Sequence, residues 1–187
     1  ISSSAVLCNG GSDGAVELGA LVGTAPFTYS LDGSSNSSGV FSGLTAGTYN
    51  ASAVDANGCS SALVAVTVNE PTVLTASASG TDALCFGSCD GSATVSAGGG
   101  TPGYSYQWND PSAQTSATAS NLCAGSYSVV VTDANGCSQT VSVTINEPTV
   151  FTASAVGTDA LCFGSCDGTA TVSAGGGTPG YSYQWND

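Results

Sequence analysis

Apolar and polar residues alternate with a period of two in several stretches of this chain. Phe27, Tyr29 and Leu31 alternate with Thr28 and Ser30. Tyr104, Tyr106 and Trp108 alternate with Ser105 and Gln107. Tyr127, Val129 and Val131 share one face of a run, as do Val141, Val143 and Ile145. Neighbouring side chains of an extended strand point to opposite faces, so each run predicts a strand with one buried face. Ala15–Leu18, Ala62–Val68, Val73–Ser79 and Ser92–Ala97 read as further strands, and Leu44–Tyr49 leads into another. The Gly/Ser/Asn stretch Asp32–Gly39 reads as loop. Asn57-Gly58 and Asn135-Gly136 are hairpin signals. No segment has helical periodicity. The pattern predicts an all-β chain built of small immunoglobulin- or fibronectin-like sandwiches of about seven short strands each.

The pattern also repeats. Thr81–Asp110 returns as Thr158–Asp187 with one change, Ser92 to Thr169, at an offset of 77 residues. A looser copy begins at Leu7. Asp55-Ala56-Asn57-Gly58-Cys59 matches Asp133-Ala134-Asn135-Gly136-Cys137, and Asn69-Glu70-Pro71 matches Asn146-Glu147-Pro148. A tandem array is expected: module one over 1–71 with its first strand truncated, module two over 72–148, and the first half of module three over 149–187. Three strands from half a sandwich cannot close a core, so more chain or a second molecule is expected to complete the third. With no signal peptide and no initiator Met, the sequence is expected to be a piece of a longer chain.

Composition narrows the chemistry. The 187 residues hold no Lys, Arg or His, against 13 carboxylates, for a net charge of −13. Nothing can neutralise phosphate, which excludes nucleic acid and disfavours anionic membrane surfaces. No apolar run reaches the ~20 residues that span a bilayer. General acid–base work would fall to carboxylates alone, and no carboxylate pair stands out for it, so no enzyme activity is expected.

The eight cysteines recur at fixed module positions, which in a Ser/Thr/Gly-rich repeat implies disulfides and an extracellular, oxidising setting. Module two has Cys85, Cys89, Cys123 and Cys137. Module one keeps Cys8 and Cys59 but has Ser12 and Thr45 at the middle positions. Two cysteines missing together are expected partners, which gives Cys89–Cys123 and leaves Cys8–Cys59 and Cys85–Cys137. In an immunoglobulin-like topology the Asn135-Gly136 turn and the Cys89 turn lie at opposite ends, so Cys85–Cys137 requires Cys85 to sit about a strand's length from Cys89, or a different topology. Cys162 and Cys166 are expected to be unpaired within this segment. Zinc held by Cys85 and Cys89 with Cys123 and Cys137 is a weaker alternative, since module one would keep two ligands only.

Other candidates have plain structural readings. Asp55 and Asp133 could offer oxygens to calcium, the one candidate cofactor, but no twelve-residue calcium loop is present, and an Asp capping an Asn-Gly turn is the simpler account. Ala97–Gly103 is glycine-rich without a Lys or a following helix, so it is an inter-strand loop and not a phosphate cradle. Tyr104, Tyr106 and Trp108 could stack on sugars, but Phe27, Tyr29 and Leu31 keep only their bulk, as core residues would. Asn36 and Asn50 begin glycosylation sequons, the second on an expected strand. Leu44–Tyr49 and Leu122–Tyr127 are similar to the tyrosine corner of such sandwiches, a structural device.

One ordered set of motifs runs through module two: Cys-x-Gly-x-x-Asp-Gly at Cys85–Gly91, Gly-Gly-Thr-Pro-x-Tyr-x-Tyr-x-Trp at Gly99–Trp108, Leu-x-Ala-Gly-x-Tyr at Leu122–Tyr127, Asp133–Cys137 and Glu147-Pro148. The set resembles the SprB-type repeat of flavobacterial surface and gliding-motility adhesins. Module one departs at Ala25-Pro26 and at Leu31. The resemblance implies very large, secreted, surface-attached proteins, often exported by the type IX system. The expected function is a non-enzymatic stalk or fibre whose partners are neighbouring modules and further copies of itself. The alternative is a module that binds glycans or surface polysaccharide, calcium-dependent if Asp55 and Asp133 hold the ion.

Overall fold

The computed structural model describes residues 1–186, and Asp187, the last residue of the expected third module, lies outside them. All the regular structure among the described residues is strand. Seven strands fall in the first module: β1 (Ser2–Ser4), β2 (Gly14–Glu17), β3 (Thr28–Leu31), β4 (Ser34–Asn36), β5 (Val40–Leu44), β6 (Gly47–Val54) and β7 (Val64–Val68). They form two antiparallel sheets, β1-β2-β5 and β4-β3-β6-β7. Val16 and Leu18 come from the side of the first sheet, and Leu31, Ala51, Val66 and Val68 from the second. With Val6 and Phe41 they make one buried cluster, against which Tyr29, Leu44 and Tyr49 pack.

Within Asp32–Gly39, expected to be loop, Ser34–Asn36 pairs with Tyr29–Leu31 as the edge strand β4. A three-residue edge strand of small polar residues has no buried face to impose alternation.

The second module has β8 (Thr75–Thr81), β9 (Gly91–Gly98), β10 (Ser105–Trp108), β11 (Thr118–Leu122), β12 (Gly125–Thr132) and β13 (Ser138–Ile145). The sheets are β11-β9-β8 and β10-β12-β13. Ala93, Val95, Trp108, Ala119, Leu122, Val129 and Ile145 are buried. The third segment contributes the antiparallel pair β14 (Thr152–Thr158) and β15 (Thr169–Gly175). Its Tyr183 and Trp185 are about half exposed, whereas Trp108, the counterpart of Trp185, is 1% exposed.

The chain divides into two compact units. One holds Ile1–Ala76 together with Ala97–Ser105 and Val131–Gln139. The other holds Ser77–Ser96, Tyr106–Val130 and the chain from Thr140 onward. The first unit thus takes in more than the span 1–71. The glycine-rich loop and the Asn135-Gly136 hairpin of module two are part of it.

Candidate functional site: a cysteine turn and an Asn-Gly hairpin

The recurring motifs build two local structures. The first is a turn at each cysteine nearest a module's start. Cys8 O accepts the Gly11 N–H at 2.9 Å, Cys85 O that of Ser88 at 3.1 Å, and Cys162 O that of Ser165 at 3.0 Å. The Asp of the Asp-Gly pair closes the turn from below: Asp13, Asp90 and Asp167 each accept the N–H of the Leu that precedes the cysteine, at 3.0–3.1 Å. At Asp90 and Asp167 a serine hydroxyl, then that Leu N–H, holds the carboxyl below its ordinary range. The Glu of Glu-Pro completes the turn. Glu70 Oε2 accepts the Gly10 N–H at 2.8 Å and Glu147 Oε2 that of Gly87 at 2.6 Å. Glu-Pro is therefore more than a joint between modules: its carboxylate reaches back about sixty residues to cap the opening turn of the same module.

The glycine of Asp-Gly is required by space. A Cβ on Gly14 would sit 2.6 Å from Val68 Cγ1, and one on Gly91 would sit 2.6 Å from Ile145 Cγ2. The last strand's apolar residue crosses there in both modules.

The second local structure is the hairpin. Asp133 Oδ1 accepts the Asn135 and Cys137 N–H groups at 2.9 Å, and Oδ2 accepts that of Thr101 at 2.8 Å. Asp55 does the same with Asn57 and Cys59 at 2.9 Å and with Thr24 at 3.1 Å. Asn135 Nδ2 donates to Thr101 Oγ1 at 2.9 Å, and Asn57 Nδ2 to Thr24 Oγ1 at 3.0 Å. Gly58 and Gly136 take the positive φ of 80° and 85° that closes such a turn. The Thr101 N–H first, and then those of Cys137 and Asn135, hold the Asp133 carboxyl below its ordinary range against the opposing effect of burial. Cys59, Thr24 and Asn57 do so for Asp55. Both candidate calcium ligands thus have their oxygens engaged by backbone N–H groups. No cluster of three or more His, Cys, Asp or Glu that could hold a metal occurs among the described residues.

The two structures meet. Cys8 of the first turn is bonded to Cys137 of the second module's hairpin, Cα–Cα 5.7 Å, across 129 residues of sequence. Asn135 Nδ2, already held by Thr101, donates to Leu7 O at 2.8 Å. Cys137 Sγ lies 3.5 Å from the same oxygen. This corrects the expected Cys8–Cys59 and Cys85–Cys137 bridges: Cys59 and Cys85 are free and exposed, as are Cys162 and Cys166. The reason is length. β6 separates the Gly47 end of module one, where the Cys8 turn lies, from the Val54 end, where Cys59 lies. Eight residues at about 3.3 Å each put these ends roughly 25 Å apart, far beyond the reach of a disulfide. Cys89 is bonded to Cys123, Cα–Cα 3.8 Å.

The remaining candidates fall into structural places. Trp108 is buried, with its indole Nε1 donating to Ser116 O at 2.9 Å, while Tyr104 and Tyr106 are half-buried. Tyr104 Oη donates to Gly99 O in the glycine-rich loop at 2.6 Å. Tyr49 and Tyr127 donate to the carbonyls of Thr45 and Cys123, four residues upstream, at 2.8 and 3.0 Å. These are the expected tyrosine corners. Asn36 Nδ2 is bonded to Val40 O, and Asn50 lies on β6. Sequence reasoning missed Asp110, which is buried after β10. Its carboxylate accepts the Ser112 and Gln114 N–H groups and the Gln114 side chain at 2.9–3.0 Å. Burial pushes this carboxyl up, but the Gln114 side chain and the two N–H groups outweigh it, and the net displacement is downward. An Asp followed by Pro-Ser was its only signal.

Comparison with known proteins agrees with the repeat. The model of the SprB repeat matches residues 2–36, 77–113 and 154–187. Each match takes in a cysteine turn and the aromatic strand region that follows it, and ends before the tyrosine corner and the hairpin. The family's repeat, as matched, is about 40 residues long and recurs once in each 77-residue period, rather than filling it. No curated protein matches the chain. Among solved structures, the amphioxus IgVJ-C2 molecule is 16% identical with a TM-score of 0.34, over 74% of this chain and 98% of that one. A C-terminal 282-residue intimin fragment, solved in complex with the intimin-binding domain of the translocated intimin receptor, is 16% identical with a TM-score of 0.42. It is matched over 81% of this chain and 64% of its own. With three matched segments that together span more than half its residues, the chain belongs to the SprB repeat family.

Proposed function

We propose that this chain is a length of a secreted, cell-surface adhesin-type array whose modules, 1–71, 72–148 and 149–187, serve as a non-enzymatic stalk or fibre. One observation carries the reading: the hairpin of the second module is seated on the opening turn of the first by a disulfide and a hydrogen bond from Asn135. Motifs that recur with the period are thus spent on joining one module to the next. The two disulfides fit an oxidising, extracellular setting. The net charge of −13, with no basic residue, opposes lateral association at low salt and leaves divalent cations as the agents that could draw such arrays together.

Imaging tests this. Arrays of two, four and eight periods, examined by electron microscopy, should lengthen in proportion to period number, and a glycan array should show no selective binding. Contours that do not grow with period number would overturn the stalk. Selective capture of one polysaccharide, abolished by removing calcium, would establish the binding alternative on Asp55 and Asp133.

A further inference from the structure

Each half of the Cys8–Cys137 joint recurs with its cysteine free: the turn at Cys85 and again at Cys162, the hairpin at Cys59. The Cys85 turn has the same hydrogen bonds as the Cys8 turn: Leu84 N–H to Asp90 at 3.0 Å, Ser88 N–H to Cys85 O at 3.1 Å, Gly87 N–H to Glu147 at 2.6 Å. The Thr24–Asp55–Asn57–Cys59 hairpin keeps every bond of the Thr101–Asp133–Asn135–Cys137 hairpin, including the one that orients the Asn side chain. Both unpaired halves are flanked by exposed apolar side chains. Leu84 and Phe86 beside Cys85 are 71% and 57% exposed. Leu21 and Val22, which line an apolar groove of about 480 Å³ with Cys59, are 99% and 87% exposed. With no cation in the chain, ion pairs cannot supply the attraction, so apolar contact, the Asn–carbonyl bond and the disulfide must.

We propose that Cys59 and Cys85 are the open ends of the same joint, and that the Cys85 turn takes the Asp55–Cys59 hairpin of a second copy of this chain. In the docked pair, Asn57 of the incoming copy donates to Leu84 O, as Asn135 donates to Leu7 O. The bond then forms by exchange with a small-molecule disulfide such as oxidised glutathione. The Cys85 thiolate attacks it to give a mixed disulfide and releases one glutathione thiol. The incoming Cys59 thiolate attacks the Cys85 sulfur and releases the second. Two thiols lose two electrons and two protons, and one glutathione disulfide becomes two thiols. With Cys162 and Cys166 replaced, each copy offers one free cysteine turn, at Cys85, and one free hairpin cysteine, Cys59, so the linkage runs head to tail. The inference rests on the geometry of the Cys8–Cys137 joint and not on the stalk reading, which imaging can refute while the linkage stands.

The test uses the chain with Cys162→Ser and Cys166→Ser, which leaves Cys59 and Cys85 as its free thiols. It is oxidised in glutathione buffer, run without reduction, and mapped after cleavage at acidic and aromatic residues, since trypsin has no site. A ladder of covalent oligomers is expected, with Cys59 of one copy linked to Cys85 of the next and Cys8 to Cys137 within each. Adding Cys59→Ser or Cys85→Ser should end the ladder. Adding Asn57→Ala should slow it roughly fivefold, the value of one hydrogen bond, without changing the rate at which iodoacetamide alkylates Cys59 in monomer. Cys59–Cys59 or Cys85–Cys85 dimers in the parent, Cys59–Cys85 within one copy, Cys8–Cys59 pairing, or thiols that stay free would each overturn the proposal.

Discussion

Modules one and two solve the same packing problem with different side chains. In module one, β3 ends in Leu31 and the facing sheet supplies Phe41 from β5; both are in the buried cluster. In module two the counterpart positions are Trp108 and Ala119, also buried. The aromatic ring has moved from one sheet to the other, and its partner has shrunk. Total volume inside a sandwich is what must be kept, and swaps that keep it are tolerated. The second difference is covalent. Module two ties its opening turn to its tyrosine corner through Cys89–Cys123, where module one has Ser12 and Thr45. Module two also carries the Asp110–Gln114 network after its Trp strand, at the place where module one makes the edge strand β4. The modules are therefore one framework with separately adjustable fittings.

The largest effect that breaks the comparison is loss of the inner bridge. Cys89→Ser with Cys123→Ser opens a crosslink over a separation of 34 residues, worth about 4 kcal/mol in the chain-entropy model. Hydrogen exchange should quicken across β9–β13 and stay unchanged in β2–β7. Equal quickening in both would remove the distinction between the modules.

Next comes the ring exchange. Trp108→Leu should cost about 3 kcal/mol, and Ala119→Phe alone about 2, one by a cavity and one by overpacking. The double variant Trp108→Leu with Ala119→Phe recreates the pair used by module one. Urea titration should place it within about 1.5 kcal/mol of the parent. Additive costs would mean that the two sites do not share volume.

The tyrosine corners sharpen the comparison by being the same. Tyr49→Phe and Tyr127→Phe each remove one hydrogen bond to a carbonyl four residues upstream, so each should lower stability by about 1 kcal/mol. A twofold or larger disparity between them would show that the Cys123 crosslink has changed the corner.

The smallest effect is on acid stability. Asp55, Asp90, Asp110 and Asp133 are held below the ordinary value of 3.8 in the folded chain. A carboxyl depressed by folding contributes its full stability above the unfolded value and loses it as pH falls through the lower folded one. Stability should therefore be flat from neutral pH down to about 5 and decline below about 4. Asp110→Asn should flatten that decline in β10–β12 and leave it unchanged in β2–β7, read by exchange at successive pH values.

Much of this was readable from residue order, for reasons that differ by element. β9, β10, β12 and β13 alternate because each has one buried face. β5 and β11 were not seen as strands: Ser42-Gly43 and Ser120-Asn121 interrupt the apolar pattern, and a register shift falls within the pairing of each. The cysteines show a deeper limit. Comparing copies identifies residues that come and go together, which singled out Cys89 and Cys123. Cys8, Cys59, Cys85 and Cys137 are present in both copies, so subtraction carries no information about them. In a tandem repeat, a contact from one module to the next leaves the same trace as a contact inside a module. Only strand length, some 25 Å along β6, distinguishes the two.

The Cys8–Cys137 bond also changes how tension would pass through the molecule. A pull applied at the ends reaches Cys8, crosses two sulfurs, and leaves at Cys137. The 129-residue span between them is shielded from the load and can unravel without lengthening the molecule. Less the 34-residue separation that Cys89–Cys123 keeps closed, its contour is roughly 330 Å at about 3.5 Å per residue, slack released only when the Cys8–Cys137 bond is reduced.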